Sequence, residues 1–166
     1  KQDHFAAAYG NLNVFSFNPD ETVTVEPVLY KPEIKKSIES NLLLFYLKSK
    51  RDASNILKIQ QQETQNKLNY LRELKELVFP FRNIFSNWSG NDFNKFGELL
   101  DKGWMIKREI TDKISSDEID NYYHKAKESG AIGGKLLGAG GGGFLLLYVE
   151  NKHKQSVIDA LSDLFC

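Results

Sequence analysis

The sequence predicts an α+β fold with helices packed on an antiparallel sheet. Three observations carry that reading. The chain opens with strand-like runs, its middle is dominated by helical spacing, and its end reads helix, strand, strand, helix. Neither an internal repeat nor a linker interrupts it, so residues 1–166 are read as one domain.

Lys1–Gly10 has helical composition and stops at a glycine suited to a C-cap. Asn13–Phe17 and Thr22–Leu29 are strand-like and joined through Asn18-Pro-Asp-Glu21, a turn sequence. Thr22, Thr24 and Glu26 alternate with Val23, Val25 and Pro27, which predicts one solvated face. Pro32 begins a short helical turn, and Leu42–Leu47 reads as a buried strand. Asp52 can cap a helix whose apolar side includes Ile56 and Ile59. Leu68, Leu71, Leu74 and Val78 recur at spacings of three and four, and Pro80 should kink or end that helix.

Phe93, Phe96, Leu100 and Trp104 form a further helical stripe. Ser115-Ser-Asp-Glu118 fits a capping box for a helix carrying Ile119, Tyr122, Tyr123 and Ala126, closed by Gly130. Lys152–Leu164 predicts a last amphipathic helix. Phe79, Phe81, Phe85 and Trp88 suggest an apolar cluster, or a surface covered by another domain.

The most unusual stretch is Gly133-Gly-Lys-Leu-Leu-Gly-Ala-Gly-Gly-Gly-Gly-Phe144, since six of the chain's 12 glycines fall between Gly134 and Gly143. Such a run costs backbone entropy and is kept where positive φ or close backbone approach is needed. It is not a P-loop, because Phe144 and Leu145, not Lys-Ser/Thr, follow. Gly138, Gly140 and Gly143 satisfy Gly-x-Gly-x-x-Gly, but Phe144–Val149 reads as a strand where a dinucleotide site requires a helix. A glycine-rich turn between two strands remains. A plain hairpin needs only one or two glycines, so a loop packed near phosphates is the alternative the composition favours.

Composition narrows the function. Lys plus Arg and Asp plus Glu number 22 each, leaving no net field for nucleic acid or anionic lipid. Cys166 is the one cysteine, so no disulfide framework forms within the chain, which suits a reducing compartment. His4, His124 and His153 lack ligand spacing, so no metal site is expected. With no apolar run of membrane-spanning length and no secretory signal, a cytoplasmic location is the expectation.

The glycine motif resembles the third motif of the GHMP small-molecule kinases, and Gln2-Asp-His-Phe-Ala-Ala-Ala-Tyr-Gly10 resembles the segment that carries the catalytic aspartate in their sugar-kinase branch. Leu42–Tyr46 with Arg51-Asp-Ala-Ser54, and the runs Gly97–Lys107 and Lys113–Asp120, are similar to the heptose 7-phosphate kinases of that branch. The departures are His4, where the branch has Gln, and Leu47-Lys48 before Arg51.

The resemblance implies a ferredoxin-like C-terminal domain of an ATP-dependent sugar kinase, acting on C1 of a heptose 7-phosphate, or on galactose or fucose in other members. It implies Asp3 as the catalytic carboxylate, although an Asp read alone is most often a plain surface acid. It further implies Gly138, Gly140, Gly141, Gly142 and Gly143 as support for a phosphate loop. Lys135 and Arg51 become candidates for the substrate phosphate, against the plain reading of solvated surface charges. Lys1 is not an initiator Met and no Gly-Leu-Gly-Ser-Ser loop occurs. The chain is therefore expected to be the C-terminal part of a longer kinase, inactive alone, with ATP and Mg²⁺ bound mainly by the other half. A non-catalytic ligand- or partner-binding module is the rival from another class.

Overall fold

The computed structural model describes residues 2–47, 67–86 and 93–166. The expected helix after Asp52, Arg51 and Trp88 lie outside the described residues.

Helix α1 (Gln2–Tyr9) ends as expected, with Gly10 at φ 60° donating its N–H to the Ala6 carbonyl. It leans on a hairpin of β1 (Asn13–Phe17) and β2 (Val23–Pro27), the Phe5 ring lying 6.0 and 5.8 Å from those of Phe15 and Phe17. In the turn, the Asp20 carboxylate accepts from the Thr22 N–H and hydroxyl. The predicted alternation on β2 breaks at its end, where Glu26 is half-buried in an ion pair with Arg82 and Pro27 is exposed. Helix α2 (Pro32–Glu39) starts on Pro32 and buries Ile34 and Ile38.

The main sheet has three antiparallel strands, β3 (Leu42–Leu47), β4 (Ala131–Leu136) and β5 (Gly143–Val149), in the order β3-β5-β4. Leu43 and Phe45 pair with Leu147 and Leu145, so the apolar residues of both strands share a face. Leu145, Leu147 and Val149 are wholly buried, each worth about 1.5–3 kcal/mol against exposure. Strand β3 departs from the expectation of full burial: Leu44 and Tyr46, alternating with the buried Leu43, Phe45 and Leu47, are exposed.

Helices α3 (Leu68–Glu76) and α4 (Val78–Ser86) divide at Leu77, which places Pro80 in the first turn of α4, where its missing N–H costs little. Leu71 and Leu74 pack on the core, whereas Leu68 and Val78 are exposed, so the predicted stripe is buried only at its centre. In α5 (Asn94–Arg108) Leu100 and Trp104 are buried and Phe93 and Phe96 pack beside Tyr148.

Helix α6 (Asp117–Glu128) is capped one residue later than predicted. Ser116 accepts from the Ile119 N–H, and Ser115 instead donates to Asp120, so Glu118 closes no capping box. The last predicted helix is shorter than its apolar spacing suggests: a 3₁₀ turn at Asn151–His153 leads into α7 (Lys154–Ala160). Among the described residues, no helix is long and apolar enough to cross a membrane.

Candidate functional site

The site begins where α5 meets β4, at a separation only glycine permits. A Cβ on Gly133 would lie 2.0 Å from the Gly97 carbonyl oxygen, and one on Gly97 would lie 2.8 Å from the Tyr148 ring. Polar groups then fasten the seam. The Tyr123 hydroxyl donates to Asp101 at 2.5 Å, and Lys127 Nζ lies 3.3 Å from the same carboxylate while donating to the Ile132 carbonyl at 2.6 Å. Burial, then the bond to Asp101, raises the Tyr123 pKa, so this phenol stays protonated and serves as a donor.

Strand β4 leads into the glycine loop and β5 leads out, which confirms the turn between strands and the rejection of a dinucleotide site. Gly138 and Gly140–Gly143 all have positive φ, from 73° to 155°. The loop is anchored from below: Gly141 donates to the Ile114 carbonyl at 2.8 Å, and a Cβ on Gly140 would come within 2.8 Å of that oxygen. The glycines thus admit both the left-handed backbone and the close approach to the α5–α6 connection.

Beside this seam is a cavity of about 440 Å³ between α3, α4 and α5, with Gln2, Trp104, Lys107 and Lys135 among its lining residues. Its wall is otherwise largely apolar, including Leu74, Leu77, Phe81 and Leu100. Lys107 Nζ donates to the Gly138 carbonyl at 2.7 Å, tying α5 to the loop. Burial, and then the neighbouring charge of Lys135, lowers its pKa to about 8. Burial lowers that of Lys135 as well. The indole N–H of Trp104 is buried with no hydrogen-bond partner among the described residues.

Of the residues singled out in the sequence, Lys135 lies on the cavity wall rather than on a solvated surface, and Gly138 meets it through Lys107. Asp3 is exposed in the first turn of α1, next in sequence to Gln2 at the cavity. Lys107 was not singled out. Its signal was available: it continues the stripe Phe93, Phe96, Leu100, Trp104 by a step of three, a cation set on an apolar helix face. Among the described residues no group of three or more His, Cys, Asp or Glu side chains is placed to hold a metal ion, and the two lysines of the cavity repel one. Mg²⁺ is therefore not assigned to these residues.

The family described as GHMP kinases C terminal matches residues 80–165, a little over half the chain, and the chain belongs to that family. A D-glycero-alpha-D-manno-heptose 7-phosphate kinase from Campylobacter jejuni is 28% identical over 162 residues, covering 96% of this chain and 47% of the relative. A galactokinase from Thermococcus kodakarensis is 25% identical, covering 98% and 52%. The crystal structure of a D-glycero-D-manno-heptose 1-phosphate kinase from Bacteroides thetaiotaomicron superposes with a TM-score of 0.67 at 25% identity, over 99% of this chain and 42% of that one. The chain thus spans about half the length of the relatives it matches.

Proposed function

We propose that this chain is the C-terminal domain of an ATP-dependent sugar kinase that phosphorylates C1 of D-glycero-D-manno-heptose 7-phosphate. The observation that carries the reading is the meeting of two distant segments: Gln2, beside Asp3, lines the same cavity as Lys135 at the entry to the glycine loop. The 28% identity to a heptose 7-phosphate kinase along 96% of the chain supports the choice of acceptor.

In this reading Asp3 accepts the proton of the anomeric hydroxyl as its oxygen attacks the γ-phosphorus of ATP. The new O–P bond forms as the bridging P–O bond to the β-phosphate breaks, and ADP leaves with that bridging oxygen. The glycine loop lets the nucleotide-binding part of the protein approach closely, and ATP and Mg²⁺ are held mainly by that part. A second reading, a galactose-type acceptor in the same mechanism, is favoured by the galactokinase similarity.

The test is ATP consumption by the full-length protein that carries this chain, with heptose 7-phosphate, galactose and fucose as acceptors. Turnover on heptose 7-phosphate should fall about 10²–10⁴-fold in Asp3→Asn. Preference for galactose would replace the acceptor, and an unimpaired Asp3→Asn would remove the role of Asp3.

A further inference from the structure

We infer that Lys107 and Lys135 together form a phosphate subsite on the cavity wall, which holds the phosphate already present on the acceptor and selects a phosphorylated sugar over a neutral one. The inference rests on the kinase reading for the role of the site, but the site itself is argued from its charges.

Several half-buried cations among the described residues are paired with carboxylates: Lys127 with Asp101, Arg108 with Asp120, Arg82 with Glu26. Lys107 and Lys135 are not. Both are largely withdrawn from water, both line one cavity, and neither makes an ion pair with a carboxylate among the described residues. Lys107 commits one of its three donors to the Gly138 carbonyl, leaving two for a ligand.

Two desolvated like charges destabilise the unliganded domain. A dianion relieves both the desolvation and the repulsion, whereas a neutral hydroxyl relieves neither. Since Lys107 also holds Gly138, an anion on these lysines sits at a fixed place relative to the glycine loop.

Phosphate of this chemistry could come from the acceptor or from the nucleotide, and calorimetric titration of the full-length protein separates the two. The probes are mannose 6-phosphate, mannose, inorganic phosphate and ATP, each titrated singly, against wild type, Lys107→Met, Lys135→Met and the arginine replacements of both. Binding without turnover is read, so the result is independent of whether Asp3 acts in catalysis.

Mannose 6-phosphate and inorganic phosphate should each weaken about tenfold or more in either methionine variant. Affinity for mannose should not move, and the arginine variants should retain a substantial part of the binding. Unchanged mannose 6-phosphate affinity in both methionine variants would overturn the subsite. So would a parallel loss for mannose, which marks a structural role. Weakening confined to ATP would overturn the assignment to the acceptor. The methionine variants remove buried charge and should melt no lower than wild type, which keeps a binding loss from being read as misfolding.

Discussion

Replacing Gly133 by alanine tests the seam on which the whole site is built. The added Cβ would lie 2.0 Å from the Gly97 carbonyl oxygen, 2.8 Å from Asp101 Cβ and 2.9 Å from the Gly97 carbonyl carbon. A relaxed C···O contact is about 3.3 Å, so α5 must retreat by about 1.3 Å or the carbonyl must turn. The retreat opens the packing of Gly97 on Tyr148 and Ile132 and strains the bonds that Asp101 receives from α6. In a close-packed interior such overpacking costs about 3 kcal/mol, reduced by at most about 1 kcal/mol from the lower entropy of the unfolded alanine chain. At roughly 2–4 °C per kcal/mol for a domain of this size, the net loss corresponds to a fall in Tm of about 4–12 °C.

Differential scanning calorimetry of the protein carrying this chain is the assay, with Gly138→Ala as the control. Gly138 has open space around its Cβ position but φ of 75°, so it reports backbone strain alone, about 1–2 kcal/mol. A Gly133→Ala Tm within about 2 °C of wild type would refute the seating of α5 on β4 at this distance.

The remaining predictions concern a cap and a charge. Ser116→Ala removes the acceptor of the Ile119 N–H and should cost about 1 kcal/mol in chemical denaturation, while Ser115→Ala should leave that cap intact; the reverse order would restore the earlier cap position. Folded Lys107 releases its proton near pH 8, whereas in the unfolded chain it keeps it to about 10.5. Within that window the native state binds fewer protons, so stability rises as the pH increases from about 8 to 10.5. Lys107→Met should flatten this rise and melt higher than wild type at pH 7. Identical pH slopes in the two proteins would contradict the burial of that ammonium.

Much of this fold was legible because the signals were local. Gly10 ends a helix by its own backbone, Asn18–Glu21 turns by its own side chains, and the glycine run between two apolar segments has no alternative to a turn. What failed to be legible was set by neighbours distant in sequence. Leu44 and Tyr46 sit in an unbroken apolar run, yet they fall on the face of β3 opposite the buried Leu43, Phe45 and Leu47. Glu26 looks like a solvated position until Arg82 reaches it. Ser115 and Ser116 are chemically equal caps, and the choice falls to Ser116 because Asp120 claims Ser115. The site divides in the same way: the glycines and Lys135 lie in one motif, whereas Lys107 joins them only through the packing of α5 on β4.

The bond from Gly141 to Ile114, with Gly140 pressed against the same residue, also bears on how this domain can change length. Surface turns are where insertions and deletions usually accumulate. Here the turn is stitched to the α5–α6 connection, and Ile114 is itself fully buried. A residue added between Gly138 and Gly142 would displace the Gly141 N–H from its acceptor, and a residue added between Arg108 and Ser116 would displace the acceptor from Gly141. The two segments can therefore be lengthened only in concert, so natural or engineered size variation should be found instead at the β1–β2 turn, whose bonds close among its own residues.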